Sequence, residues 1–519
     1  MKTIKYTCLF VLLISLGGCK KFLTEAPVSQ VAAEDFYKSK YDVDAAMAGM
    51  YSAFQLTMVG ESQFNDRYHY WGEFRADNFD RFLSYTTTYT TEIALNALTT
   101  DNPYADWSRL YTVIARANSN IKYIPGVAAL DNNVTPAVVN ASLAQSYALR
   151  AMSYFYLVRV WGDAPVWLEP YENSEVNAER ERTKASVILD DVIIKDLKLA
   201  YDLTVKNQNA SVYYINEGAI CAALADAYMW KKDYTNAILW INNLFKARSP
   251  KGTVYTGTSD ANLEPTATWK SIFTSPPSSI ETIWSIHWDY TTNGCACMQI
   301  SFSPNNRQFQ VDPLLYAKYF YPQTQPVHTN DIRPKQTLDM YAVTNPLLNN
   351  RDRFLKFYAS PANPVAAIPT TDLNIFYTQN APVYLPMYRL SDIYLLYAEA
   401  LNGNNDLPNA LKYLNFIRKR ANVDQYLATD VRVSTKQAME NAILEERQYE
   451  LIGEGKRWFD LVRTNKVKEV MDPVLKDRQT RNGNADIVGF TDVRRAYWPL
   501  SRAVMNSNRK LVQNPGYGE

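Results

Sequence analysis

The chain has 519 residues, with 54 basic and 53 acidic side chains and a formal net charge of +1. That length exceeds one ordinary domain and calls for a single large domain with insertions or for interlocked lobes. The balanced charge carries no clustered basic excess of the kind nucleic-acid binding needs, and past the N-terminus no apolar run reaches the length of a membrane-spanning helix. With 37 Tyr, 11 Trp and 20 Phe, the composition departs from the average toward amphipathic rings, which build cores and also make binding surfaces.

At the N-terminus, Lys2 and Lys5 precede an apolar stretch from Cys8 to Leu16 that is too short for a permanent membrane span. Leu16-Gly17-Gly18-Cys19 follows and resembles a bacterial lipoprotein signal, in which the cysteine is acylated and becomes the new N-terminus. Residues 1–18 are therefore expected to be removed. Residues 19–35 are expected to form an extended, lipidated tether, and the remainder to be held at a membrane by acyl chains alone.

Asp42 to Phe54 reads as a helix. Asn102-Pro103 is placed to start another, with an N-cap residue followed by proline at the first helical position, running through Trp107, Leu110, Tyr111, Ile114 and Ala117. Leu143, Tyr147, Ala151, Tyr154, Phe155 and Val158 share a helical face, which stops at Trp161-Gly162-Asp163-Ala164-Pro165; residues 185–204 are a further helix. Residues 216–246 resemble a tetratricopeptide repeat, with Leu224, Ala225, Tyr228, Tyr234, Ala237 and Ile241 at its packing positions. A second copy fits 390–417 through Tyr397, Ala398, Leu401, Leu407, Ala410 and Leu414. Between the copies, residues 250–386 hold 15 of the 25 prolines, which excludes long helices over most of that span. Within it 281–288 reads as a strand, and the rest as ordered loops of a length that is usually functional. The last helical block starts at Ser434, with Gln437 three positions on as a capping box, and continues through Leu451.

Of the cysteines beyond the signal and Cys19, Cys221 lies in an apolar helical pattern and reads as a small core residue. Cys295-Ala296-Cys297, with His287 nearby, lacks the four ligands and spacing of a zinc site and reads better as a loop thiol pair. No metal or cofactor is expected. His69, His287 and His328 are scattered, and no Gly-x-Ser-x-Gly, His-Glu-x-x-His or Gly-rich phosphate loop occurs.

The segment Glu446-Arg447-Gln448-Tyr449-Glu450-Leu451, continued by Glu454-Gly455-Lys456-Arg457-Trp458-Phe459-Asp460-Leu461-Val462-Arg463, resembles the signature of the SusD/RagB family. So do Arg150-Ala151 with Tyr154-Phe155 and Leu157 to Pro165, the start Cys19-Lys20-Lys21-Phe22-Leu23 with Pro27 and Asp35-Phe36-Tyr37, the triplet Asp331-Ile332-Arg333, and the closing Asn514-Pro515-Gly516-Tyr517. The resemblance implies a mainly α, SusD-like fold over 36–519. Its tetratricopeptide-like scaffold would span about 36–249 and 387–519, interrupted by a loop-rich region with short β-strands at about 250–386. It also implies a surface-exposed outer-membrane lipoprotein, not an enzyme, that binds oligosaccharides and in some members peptides, as the lid of a SusC-like TonB-dependent β-barrel transporter.

Glu446, Glu450, Glu454 and Asp460, interleaved with Arg447, Arg457 and Arg463, suit an ion-pair network bracing the scaffold better than a catalytic site, because like charges four apart on a helix repel unless cations intervene. Sugar recognition needs flat aromatic faces with polar groups at the edge. Two segments offer both. The first runs from Trp71 through Asp77, Asn78, Arg81, Tyr85 and Tyr89; the second is Trp288-Asp289-Tyr290 with Asn293. Asp77 also suits a turn or helix cap, Arg81 a solvated surface, and Trp288 a core position at a strand end. A lipid-tethered glycoside hydrolase, which needs two carboxylates facing each other across a sugar, and a purely structural assembly scaffold are the alternatives from other classes.

Overall fold

The computed structural model describes residues 33–60, 66–83, 86–172, 177–296, 298, 308–320, 330–338, 353–358 and 382–518. The lipidation site Cys19 and most of the tether lie outside them; its end, Ala33–Phe36, forms one helical turn rather than an extended segment. Among the described residues no helix is long and apolar enough to cross a membrane.

The fold is mainly helical. Lys40–Met58 is capped by Ser39, whose hydroxyl accepts from the Asp42 amide while the Asp42 carboxylate reaches back, the reciprocal arrangement that satisfies two orphan donors. It packs on Ser108–Val127, which pairs with the long helix Pro136–Trp161. Asn102 does cap, but only a 3-10 turn, Pro103–Ala105; the α-helix starts later at Ser108, where the chain has turned. Gly162, at φ +80°, ends the long helix in the left-handed region that favours glycine. The 185–204 helix is interrupted: Ala185–Ile188 and Lys195–Leu203 flank a π-helical segment, Leu189–Ile194.

Both repeats are helix pairs. Glu217–Trp230 packs against Tyr234–Leu244, and Leu390–Gly403 against Leu407–Arg420. Although more than a hundred residues separate them in sequence, the repeats stack directly: the Tyr234 ring fills the space a side chain on Gly403 would need. The interruption therefore loops out of a continuous scaffold. Cys221 is a buried free thiol in that scaffold, and Cys295 is disulfide-bonded. The last block is capped by Thr435, not Ser434: its hydroxyl accepts from Ala438 N, and the helix runs Lys436–Leu451, followed by Arg457–Arg463 and Val467–Arg481. Serine and threonine both cap well, so their adjacency leaves the start ambiguous by one residue.

The strands are few. β1 (Phe79–Arg81) pairs antiparallel with β3 (Phe309–Val311), and β2 (Thr282–Trp288) with β4 (Val383–Arg389). Segment 212–216 covers the other edge of β2: Ser285 N donates to Val212 O at 2.7 Å and Asn216 Nδ2 to Ile283 O at 2.9 Å.

A buried histidine ties the N-terminal third to the C-terminal motif. His69 sits in the short helix Arg67–Gly72 with Nδ1 2.6 Å from the Asp66 carboxylate and Nε2 2.7 Å from Gly453 O. Both partners accept, so the ring is an imidazolium. Burial pushes its pKa down, but Asp66 and the other acceptors outweigh that and hold it above the ordinary 6.5. A raised folded-state pKa gives stability that is complete below the unfolded value and lost as pH rises through the folded one. Thermal melts from pH 5 to 9 should therefore show the wild type losing this stability as pH rises above the ordinary histidine value of 6.5. His69→Gln should be less stable at pH 5 and lack that pH-dependent loss; an identical pH dependence would rule out the imidazolium.

Candidate functional site

The C-terminal acidic motif forms an internal ion-pair lattice. Arg333 joins Asp331, Glu446 and Glu450; Arg418 joins Glu446; Arg420 joins Glu281 and Glu450; Arg389 joins Glu281, Glu450 and Glu454; and Lys356 joins Glu454. The cations Arg333, Lys356, Arg389, Arg418 and Arg420 equal in number the carboxylates Glu281, Asp331, Glu446, Glu450 and Glu454, and all are buried. Burial would raise the Glu450 pKa, but Arg420, Arg389 and Arg333 hold it far below the usual carboxylate range. Beside this lattice Arg447 bridges Asp392 and Asp460, and Arg463 bridges Asp460 and Glu399. These groups brace helices, as their spacing predicts.

The first sugar-binding candidate segment belongs to the same bracing. Asp77 takes a two-pronged ion pair from Arg457, at 2.8 and 2.9 Å, and a hydrogen bond from Gln448. Arg457 keeps it ionised against burial. Asn78 donates to Glu73 Oε1 at 2.6 Å and accepts from Gln448 at 2.9 Å. Arg81 is 1% exposed and donates to Asn482 Oδ1. Asp77, Asn78 and Arg81 are thus corrected from ligand contacts to internal ones, because residues almost four hundred positions later consume their hydrogen bonds. Tyr85 lies outside the described residues; Tyr89 is exposed.

The second segment divides by strand parity. Trp288 is 2% exposed, and its indole N–H donates to Gly294 O at 2.8 Å; it is a core residue and not a surface ring. Tyr290, just past the strand, is 37% exposed. One position before Trp288, His287 points the other way, as alternation on a strand requires. His287 and its register partner Tyr384 are the only residues of β2 and β4 that are not buried. Tyr213, on the segment along the far edge of β2, joins them. The ring centroids stand 5.1 Å apart for Tyr213–His287, 4.8 Å for His287–Tyr384 and 6.1 Å for Tyr213–Tyr384, with planes within 28° of one another. These distances make a triangle of near-parallel rings and not a column. Burial, opposed by Asp289, pushes His287 below its ordinary pKa, so the platform is uncharged at neutral pH.

Beside the platform, Asp289 caps the turn Tyr290–Asn293, and the Asn293 carboxamide accepts from Asp289 N at 3.1 Å. The site thus combines aromatic faces, a half-exposed tyrosine and short polar groups, the chemistry that meets the apolar face and hydroxyl edge of a sugar. Tyr213 and Tyr384 were not legible as site residues, because the platform is assembled from three distant segments. The parity of β2 could have singled out His287. Among the described residues no group of His, Cys, Asp or Glu is placed to hold a metal.

Two helical repeats stacked into one scaffold, with a looped-out insertion returning as a strand pair, define the SusD-like fold. Two family models match complementary parts of the chain: one described as "SusD family" over residues 310–517, and one described as "Starch-binding associating with outer membrane" over residues 21–229. SusD-like protein P38 of Formosa agariphila is 28% identical, covering 98% of each chain. A SusD superfamily structure from Bacteroides thetaiotaomicron superposes with a TM-score of 0.68 at 22% identity, covering 93% of this chain and 99% of that one. A laminarin-binding SusD-like protein gives 0.68 at 20% identity, covering 93% and 100%. Over these two stretches and in its fold the chain is similar to SusD-like proteins.

Proposed function

We propose that this chain is a lipid-anchored outer-membrane protein that captures oligosaccharides on the Tyr213–His287–Tyr384 platform and passes them to a TonB-dependent β-barrel transporter. One observation carries the binding reading: the surface-reaching side chains of β2 and β4 are an aromatic pair in register, extended by a third ring. The match to the model described as starch-binding and the laminarin-binding neighbour support a glycan as the ligand. The reading is binding without catalysis: Glu446, Glu450, Glu454 and Asp460 are buried in ion pairs.

Native gels containing laminarin, starch, xylan or galactomannan test the site. At least one glycan should retard the protein, and Tyr384→Ala should weaken that binding about tenfold, the loss of one stacking face and its buried area. Unchanged retardation would remove the platform from the site, and retention of peptides but of no glycan would replace the ligand class. Incubation with the retained glycan should release no new reducing ends.

The anchor rests on Leu16-Gly17-Gly18-Cys19. Cys19→Ala should abolish fatty-acid labelling and move the protein from the membrane pellet to the soluble fraction. A labelled or membrane-bound variant would place the anchor elsewhere.

A further inference from the structure

On the other side of segment 211–216, a cleft of about 670 Å³ opens between Lys40–Met58, the start of Pro136–Trp161 and residues 204–218. That volume falls within the about 300–1,000 Å³ of small-molecule sites. Its aromatic wall is rigid. Tyr214 is 52% exposed and meets Tyr51 edge-on at 4.9 Å. The Tyr51 hydroxyl donates to Gln145 Oε1 at 2.8 Å and accepts from Ile215 N at 3.0 Å, which fixes both the ring and the backbone carrying Tyr214. Val205, 59% exposed, widens the apolar surface.

The rim is polar and electrically balanced. Lys40 pairs with Asp44 at 2.6 Å, while Arg248 donates to Gly252 O and Glu217 accepts from Asn207 N. Two cations and two carboxylates leave no net charge to select an ionic ligand. The remaining rim groups include Gln208, Asn209, Ser211 and Ser142; carboxamides and hydroxyls offer donors and acceptors together, as sugar hydroxyls do. Among the described residues, the Asn209 carboxamide takes no hydrogen-bond partner, so it is available to a ligand.

From this geometry we infer a second saccharide site, distinct from the platform and selective for neutral sugars. The inference rests on the reading of the chain as a saccharide binder, and it deepens that reading. Tyr213 and Tyr214 are consecutive, one ring on the platform and the next in the cleft. A long glycan held at one site is thereby presented to the other at high effective concentration.

The test uses the purified chain in the same gels of laminarin, starch, xylan and galactomannan. Three variants are compared: Tyr384→Ala at the platform, Tyr214→Ala in the cleft wall, and Ala141→Trp, which fills the cleft from a partly exposed helical position. Melting temperatures check that each variant is folded. Tyr214→Ala and Ala141→Trp should each weaken binding of the retarding polysaccharide about five- to tenfold. If both bind as wild type while Tyr384→Ala is weakened, the second site is overturned and the platform stands. If only Tyr214→Ala is weakened, the tyrosine acts by positioning Tyr213, and the second site is again overturned. If both cleft variants are weakened and Tyr384→Ala is not, the cleft is upheld and the platform reading falls. No retardation of the wild type by any of the polysaccharides overturns both.

Discussion

Arg389→Ala is expected to destabilise the protein by about 3–5 kcal/mol, enough to leave much of it unfolded or insoluble at physiological temperature. The guanidinium is fully buried and uses its whole fork. Nε reaches Glu454 Oε2 at 2.8 Å, Nη1 lies 2.7 Å from both Glu281 Oε1 and Glu450 Oε1, and Nη2 donates to Glu450 O at 2.9 Å and to Glu454 Oε1 at 2.7 Å. The lattice is charge-balanced, so the substitution leaves its buried carboxylates one cation short where water cannot compensate. Protonating a carboxylate would relieve the imbalance, but Arg420 and Arg333, which remain in the variant, still favour the ionised form of Glu450. Arg389→Lys should also be poor, since an ammonium cannot reproduce a planar fork serving three carboxylates. The control is Arg432→Ala, which breaks an exposed pair with Asp430 and should melt with the wild type, as surface pairs contribute little. Denaturant midpoints of the three variants decide. An Arg389→Ala curve lying on that of Arg432→Ala would mean that the lattice does not brace the fold.

The same lattice explains what could be read from the sequence and what could not. The repeats were legible because local spacing dictates them: Leu224, Ala225 and Tyr228 bury one helix of a pair whatever happens elsewhere. The acidic motif was legible as structural because Glu446, Glu450 and Glu454 on one face demand cations. Which cations supply them was not, since Arg333, Lys356 and Arg389 come from three separate stretches. The sugar-site error has the same origin. Asp77, Asn78 and Arg81 beside aromatic residues do look like a sugar's edge contacts until Gln448, Arg457 and Asn482 are folded against them. Trp288 drew attention by its size, whereas parity gives the surface to His287, and its partner Tyr384 lies almost a hundred residues away with nothing local to mark it.

Gly72→Ala should be costly for a reason that no side-chain inventory shows. A Cβ at Gly72 would lie 2.0 Å from Gly455 O and 2.5 Å from Gly455 C, so it meets backbone, which cannot swing aside as a side chain can. Gly455 is fixed in turn: at φ +64° it occupies the left-handed region, and its own Cβ would come within 2.9 Å of Tyr68 O. The helix Arg67–Gly72 therefore touches the 453–455 turn backbone to backbone, and polar contacts lock the seam. Gly453 N donates to Glu73 Oε1 at 2.9 Å, His69 Nε2 donates to Gly453 O, and the Tyr68 hydroxyl lies 2.6 Å from Glu454 O. Opening the seam to fit a methyl group displaces Glu454, which Arg389 and Lys356 both hold. The expected loss is at the upper end of the about 1–3 kcal/mol of overpacking. Gly126→Ala is the contrast: it sits in the helix Ser108–Val127 with nothing within 4 Å of its would-be Cβ, and should gain up to about 1 kcal/mol. Equal stability of the two alanine variants would dismiss the backbone seam. Because Gly72→Ala and Arg389→Ala both act on Glu454, their combination should lose less than the sum of the single losses, and strict additivity in that double-mutant cycle would show that seam and lattice are independent.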